Sequence, residues 1–305
     1  MNLPRRLFGS TGWNATCIGF GGAPIGYLKT ERDNVNAILN YLLDEGVNLI
    51  DTAAVYPGSE EAIAHAIGHR RKEFLLVSKC GNRVADFTDP AWSPALITKT
   101  IDRSLKLLNT QVIDVMLLHS CDLQTLERGD AVAALVAAQK AGKIRWAGYS
   151  GDNQAAAHAA SLADISVIET SISVADQANI DAVLPIARQR KLGVIAKRPI
   201  ANAAWKDPGD QRGIYAGYAS EYHHRLKLMD LSPAQLGAND WPELALRFTL
   251  SVTGVHCAII GTTSISNART NLFNAEKGPL PRDAVEKIRL AFTRAKGNQD
   301  WPGQQ

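Results

Sequence analysis

The chain has no apolar stretch long enough to cross a bilayer. Its longest run, Ala131 to Ala138, falls far short of the roughly 18 residues that a spanning helix needs. No apolar segment follows Arg5 and Arg6, so a secretory leader is not expected. Cysteine is scarce: four occur in 305 residues, with no two in a CxxC spacing. That excludes a disulfide framework and points to reduced, buried thiols in a cytoplasmic protein. An excess of one charge is also missing. A net charge of +3, with no basic cluster interleaved with aromatics, argues against nucleic acid as a partner. His65 and His69 stand four apart, but Gly68 intervenes and no HExxH glutamate accompanies them, so no metal site is expected. What is present is a chain 46% hydrophobic and 21% charged, an ordinary globular composition with a sizeable core.

The pattern along the chain alternates strand and helix. Residues 5–18 alternate around Gly9-Ser10-Thr11-Gly12, which reads as a short hairpin. Cys17 to Phe20 reads as a strand ending at Gly21-Gly22. Thr30, with Asp33 three residues on, predicts a capping box for a helix carrying Val35, Ile38, Leu39, Leu42 and Leu43 on one face, and Gly46 stops it. Further strands are predicted at 47–51, 74–79, 112–119, 144–150, 165–169, 193–197 and 256–261. Helices are predicted to start near Ser59, Ser93-Pro94, Thr125, Asn153, Asp176 and Trp241. The strand ends are spaced 19 to 40 residues apart, with one interval of 64. Eight βα units of that size predict a closed (β/α)8 barrel in a single domain over residues 1–305. An open doubly wound sheet would show GxGxxG after its first strand, and Gly19-Phe20-Gly21-Gly22-Ala23-Pro24 does not match. The long interval places an insertion at about 201–240, rich in Trp205, Tyr215, Tyr218, Tyr222 and the His223-His224 pair. It reads either as a cover over the barrel mouth or as a surface excursion. An extra helix at about 281–296 follows the eighth unit, and 297–305 reads as a frayed tail.

The stretch Val47 to Ile67 concentrates chemistry. An apolar strand ends at Asp51, small residues follow, Tyr56 lies in the loop, and Ser59 reads as the N-cap of a helix with Glu60 and Glu61 in its first turn. On a barrel all strand ends meet at one face. That makes Asp51, Lys79, His119, Ser150, Glu169 and Lys197 candidates as a set, with Tyr56 beside them. Each has a plainer reading as a loop cap, a solvated cation or a structural histidine. As a group they form an acid–base device. A free tyrosine has a pKa of about 10, and a nearby ammonium such as Lys79 favours tyrosinate. Asp51 would keep Lys79 charged, and His119 would orient a substrate oxygen.

The segments IDTAAVYPGSEEAIAHAI (50–67), LLVSKCG (75–81), IDVMLLHSCD (113–122), GKIRWAGYSG (142–151) and AIIGTTSISNARTNL (258–272) resemble the aldo-keto reductases, over almost the whole chain. GFGGAPIG (19–26) is closer to the branch of aldose and pyridoxal dehydrogenases. The resemblance implies a catalytic tetrad of Asp51, Tyr56, Lys79 and His119. It also implies hydride transfer between a nicotinamide cofactor and a small aldehyde, ketone or sugar, with Tyr56 exchanging the proton. For the cofactor it implies Gly21, Gly22 and Asp51 near the nicotinamide, and Ser150, Gly151 and Glu169 at the carboxamide. Lys197 and Arg198 stand where an aromatic ring usually stacks, and are placed to reach the pyrophosphate. Gly261, Thr262, Thr263 and Asn271 fall at the adenosine end, with Arg269 as the cation for a 2′-phosphate, which puts NADP(H) ahead of NAD(H). Glu169 departs from the family's usual Gln, and an ionised carboxylate cannot donate to the carboxamide oxygen. Two other classes stay open: a Schiff-base barrel aldolase using Lys79 or Lys197, and a cofactor-sensing binding subunit with little turnover.

Overall fold

The computed structural model describes residues 2–207, 209 and 215–304, the side chains of 215–218 excepted. Eight parallel strands close into a barrel in the order β10-β3-β4-β5-β6-β7-β8-β9. They are β3 (Ile18–Gly21), β4 (Leu49–Asp51), β5 (Leu75–Cys80), β6 (Ile113–His119), β7 (Ile144–Ser150), β8 (Val167–Ser171), β9 (Gly193–Lys197) and β10 (Cys257–Ile260). The predicted hairpin forms as β1 (Arg5–Leu7) and β2 (Asn14–Thr16), paired antiparallel. Helices surround the barrel: α1 (Ala23–Tyr27), α2 (Arg32–Asp44), α3 (Ser59–Ile67), α4 (Pro94–Leu107), α5 (Leu123–Arg128), α6 (Asp130–Lys140), α7 (Asn153–Ser161), α8 (Ala178–Ala182), α9 (Leu184–Gln189), α10 (Tyr215–Met229), α11 (Trp241–Ser251), α12 (Ile265–Glu276) and α13 (Arg282–Lys296). Among the described residues no helix is long and apolar enough to cross a membrane.

The two-residue period of the strands sorts their side chains. Leu49, Leu75, Val77, Val115, Leu117, Val167, Ile195, Cys257 and Ile259 cluster inside the barrel, apart from the larger shell between strands and helices. Filling the interior with branched side chains makes it a packed core instead of a pore. The hairpin plugs its lower end. Phe8 is fully buried, and a Cβ on Gly193 would come within 2.6 Å of its ring. Continuing the same inward parity along β4, β5, β8 and β9 brings Asp51, Lys79, Glu169 and Lys197 to the upper end. Parity thus carries the strand pattern directly into the site.

Local signals behave as expected in several places. Ser93 caps α4 by accepting from the Leu96 amide, Pro94 takes the first turn, and Gly46 adopts a positive φ after α2. Others are corrected. Glu31, not Thr30, precedes α2, and the Thr30 hydroxyl donates to the Pro24 carbonyl at 2.9 Å. Gly58, with φ of 69°, precedes α3, while the Ser59 hydroxyl turns inward to Thr52 and to the Gly22 carbonyl. The buried core-side partner outcompetes the local cap. The helix predicted near Thr125 begins at Leu123 behind Asp122, whose carboxylate accepts from the Thr125 amide. In the insertion, Trp205 stacks on Trp241 with ring planes 5° apart, and Tyr222 is fully buried, so this segment packs against the barrel. The Tyr215 and Tyr218 side chains lie outside the described residues.

The predicted frayed tail is the clearest correction. Trp301 is buried, edge-on to Phe292 at 5.1 Å and beneath the Arg225 guanidinium at 5.3 Å. Gly303 and Asn153 exchange two hydrogen bonds, of 2.7 and 2.9 Å. A polar tail with one large aromatic reads as disordered until its distant partners are known. Trp301→Ala is expected to cost about 3–5 kcal/mol through lost contacts and a cavity. In thermal unfolding that should lower the midpoint by roughly 10 °C. An unchanged midpoint would show that the tail does not anchor.

Candidate active site

Asp51 ends β4 and pairs in register with Gly21 on β3 and Val77 on β5. Lys79 lies two residues beyond Val77 on the same inward face, so its stem rises along the barrel wall toward Asp51. The ammonium donates to the Asp51 carboxylate and to the Thr52 carbonyl at 3.1 Å, and ion-pairs with Glu169 at 3.3 Å. All three charged groups are buried. Two carboxylates on one buried ammonium outweigh the desolvation that alone would discharge it, so the Lys79 pKa is raised and the amine stays charged. Asp51 is pushed up, chiefly by burial and then by Glu169, against the pull of Lys79.

Tyr56 enters from the loop after β4. The loop is held by backbone bonds from Thr52 and Ala54 to the carbonyls of Val77 and Lys79. It is also packed by α1, where Gly26 lies so close that a Cβ would meet the Pro57 nitrogen at 2.7 Å. The Lys79 ammonium stands 5.6 Å from the Tyr56 ring centre, and the rings of His119 and Tyr27 meet it edge-on at 5.8 and 5.3 Å. Burial raises the Tyr56 pKa, and Lys79 opposes this without overcoming it. The ammonium lowers it, as expected, but burial, joined by Asp51, Glu169 and Tyr27, outweighs the cation and leaves the net shift upward. Burial, then Lys79, Lys197 and Arg198, hold His119 well below its usual pKa. A neutral imidazole results, and its Nδ1 is buried without a hydrogen-bond partner among the described residues.

A cavity of about 440 Å³ opens above this cluster. Asp51, Tyr56, His119, Gly21, Ser150, Glu169, Lys197, Arg198, Gly261, Thr262 and Thr263 line it. Lys79 sits behind that wall. Besides Lys79, four sequence candidates do not border it. Gly22 is turned toward Ser59 and the Asp51 carbonyl, and Gly151 lies against the Tyr149 hydroxyl. Arg269 rests over the Tyr41 ring at 5.4 Å, and Asn271 faces inward from α12 and is buried. Residues that sequence reasoning missed include Tyr27, Ser120, Asn202 and Asn267, all on the lining. Tyr27 was readable only as part of a loop, because the five-residue α1 is too short to leave a periodic signal. Asn267 stands two positions before Arg269, on the side of the α12 first turn that faces the cavity.

Lys197 and Arg198 are ordered by a second acidic centre. Asp152 pairs with Lys197 at 2.9 Å and with Arg198 at 3.9 Å, and accepts from Thr170, the Ser171 amide and Asn179. Arg198 also donates to the Ser171 hydroxyl at 2.8 Å and to the Gln304 carbonyl. The tail thus reaches the cavity wall. Among the described residues no group of three or more His, Cys, Asp or Glu side chains gathers in a metal-binding arrangement. Cys80 and Cys121 are buried, and burial pushes both thiols up, Cys121 to about 12, which suits packing and not nucleophilic attack.

Comparison with known proteins fits this geometry. A model of the Aldo/keto reductase family matches residues 17–291. An L-galactose dehydrogenase from Arabidopsis thaliana is 23% identical, across 97% of this chain and 96% of its own. The aldo-keto reductase yakc [NADP(+)] from Schizosaccharomyces pombe is 26% identical, across 97% and 93%. The solved holo form of aldo-keto reductase AKR11C1 from Bacillus halodurans shares the fold with a TM-score of 0.81 at 23% identity, covering 95% of this chain and 96% of that one.

Proposed function

Because the chain belongs to the aldo/keto reductase family, and is a nicotinamide-dependent oxidoreductase of carbonyl and alcohol groups, we propose that Tyr56 exchanges the proton in its reaction, backed by Lys79 and Asp51, with His119 orienting the substrate oxygen. The observation that carries this reading is the meeting of a half-buried phenol and a neutral imidazole on one cavity wall, with a buried ammonium behind it, 5.6 Å from the phenol's ring centre. The donor set also suits the cofactor. Glu169 lines the cavity beside Ser150, with Oε1 accepting from the Ser150 hydroxyl and Oε2 paired with Lys79, so its carboxylate can accept from a carboxamide NH2 but not donate to the carbonyl. Lys197 and Arg198 would offset a pyrophosphate, and a Cβ on Gly261 would strike Pro24 at 2.5 Å, so this end of the cavity is kept clear of side chains. When bound, the nicotinamide supplies or accepts the hydride.

The protein's part is proton management. A carbonyl oxygen entering beneath His119 receives a hydrogen bond from whichever imidazole nitrogen carries the proton, which fixes its direction. As negative charge develops on that oxygen, Tyr56 donates its proton, and the Lys79 ammonium stabilises the tyrosinate left behind. In alcohol oxidation the same tyrosinate takes the proton back. An aldolase route through Lys79 is disfavoured, because an amine held charged by two carboxylates is not a nucleophile.

For substrate we favour a small aldehyde, ketone or sugar, the last supported by the relative named for L-galactose. For cofactor we place NADP(H) ahead of NAD(H), supported by the relative named for NADP(+). Two measurements test this reading. A panel of aldehydes, sugars and pyridoxal with both cofactors, followed at the reduced-nicotinamide absorbance, should show turnover; cofactor binding with none would favour the sensing subunit. Binding titrations should show Arg269→Ala weakening NADPH while sparing NADH. Since Arg269 must leave the Tyr41 ring to reach a 2′-phosphate, equal losses for both cofactors would remove it from that role.

A further inference from the structure

Charge around Tyr56 does not balance in the way a tyrosine–lysine–aspartate relay alone would have it. Lys79 bears one positive charge and is in ionic contact with two carboxylates, Asp51 from β4 and Glu169 from β8. All three are almost fully buried, with Asp51 and Glu169 at the edge of the cavity. Two carboxylates share one ammonium, and the phenol beside them must develop a further negative charge to act as a base.

We propose that Glu169 is a positioning residue of the proton relay, acting through Lys79 to hold Tyr56 in its protonated, proton-donating form. This rests on Tyr56 being the proton-exchanging group. Its geometric basis is the register of β8. Glu169 pairs with Ser150 on β7 and Ile195 on β9, and the Ser150 hydroxyl donates to Oε1 at 3.1 Å. That bond fixes the carboxylate so that Oε2 lies 3.3 Å from Lys79 Nζ. A Gln at this position would keep the Ser150 bond and remove the charge.

Other groups face the cluster from every side. Asp51 adds negative charge to Tyr56, as does Glu169, and Tyr27 disfavours tyrosinate further. His119 on β6 is neutral. Lys197 on β9 senses Glu169, but Asp152 is its direct partner, and Arg198 is tied to Ser171 and Gln304. Cys257 on β10 is buried below with its thiol pushed up by burial, so it adds no charge. Glu169 is therefore the one negative charge that can be removed without breaking the Asp51–Lys79 contact. At neutral pH the proton is on Tyr56, the form that carbonyl reduction uses.

The test is the ionisation of Tyr56 in cofactor-free protein. It is read as the tyrosinate ultraviolet difference spectrum between each protein and its Tyr56→Phe counterpart. In Glu169→Gln the Tyr56 titration should move down by about one pH unit or more, roughly tenfold more tyrosinate at a fixed alkaline pH. Glu169→Asp, which keeps the charge, should stay near wild type. The pH profile of alcohol oxidation should move the same way, while carbonyl reduction loses rate at a lower pH than in wild type. Glu169→Met serves the same end should the Gln variant not fold. An unmoved or raised Tyr56 titration in the neutral variants would overturn the proposal. A lowered titration without a matching change in the rate profile would keep the charge coupling and discard Tyr56 as the proton-exchanging group.

Discussion

Tyr56→Phe is expected to lower carbonyl reduction by about 10²–10⁴-fold, the usual worth of a positioned general acid. Nicotinamide cofactor affinity should stay nearly intact. The phenol is a proton source against the cavity whose conjugate base has a permanent cation, Lys79, nearby. His119 is held neutral, and in the proposed reaction it orients the substrate oxygen. The ring itself survives the substitution, with its edge contacts to Tyr27 and His119 and its place beneath Lys79. Fold and cavity shape should therefore be retained, and the loss should fall on kcat. Steady-state rates with fluorescence titration of the cofactor make the comparison. More than about a tenth of the wild-type rate remaining would remove Tyr56 as general acid.

Lys79→Met is the second large effect. It removes the one charge that stabilises tyrosinate and leaves Asp51 and Glu169 facing each other in a buried site. Breaking a buried ion cluster from one side typically costs about 3–5 kcal/mol, so thermal stability should fall as well. In catalysis the Tyr56 pKa should rise further, since Lys79 is the leading influence opposing burial. The profile for alcohol oxidation should move to higher pH by at least about one unit, each unit being about 1.4 kcal/mol of differential stabilisation. Asp51→Asn should shift it the opposite way. Asp51 disfavours tyrosinate, and Glu169 still holds the lysine charged. Paired pH–rate profiles separate these signs. Activity in Lys79→Met with an unshifted profile would mean that the lysine is misassigned.

Much of this arrangement could be read from the amino acids because parallel strands buried on both faces spell continuous apolar runs, and each run here stops at or beside a polar residue. Asp51, His119, Ser150 and Lys197 are the last residues of their strands. Lys79 and Glu169 lie one and two positions inside theirs, a difference too small to disturb the inward parity. What escaped reading depended on partners far along the chain. Ser59 looks like a cap until Thr52 and Gly22 are seen beside it. Arg269 and Asn267 differ only by which side of one helical turn meets the cavity. The sign of the Tyr56 shift was hidden as well. It depends first on how deeply the fold desolvates the phenol and then on carboxylates converging beside Lys79, and no spacing in the chain announces either.

The docked tail changes how the molecule comes together. Asn153 waits 150 residues for Gly303, and Arg198 waits 106 for the Gln304 carbonyl. Closing loops of that size is slow and entropically costly, and the contacts pay back only once both ends are in place. The barrel can close on nearest-neighbour strand pairs, most of them adjacent in sequence. The arginine on its upper wall receives its clasp only after residues 301–304 have found their seat. A chain truncated before Trp301 is therefore expected to close its barrel while leaving Arg198 without its Gln304 clasp, which circular dichroism and cofactor titration of the truncated protein would check.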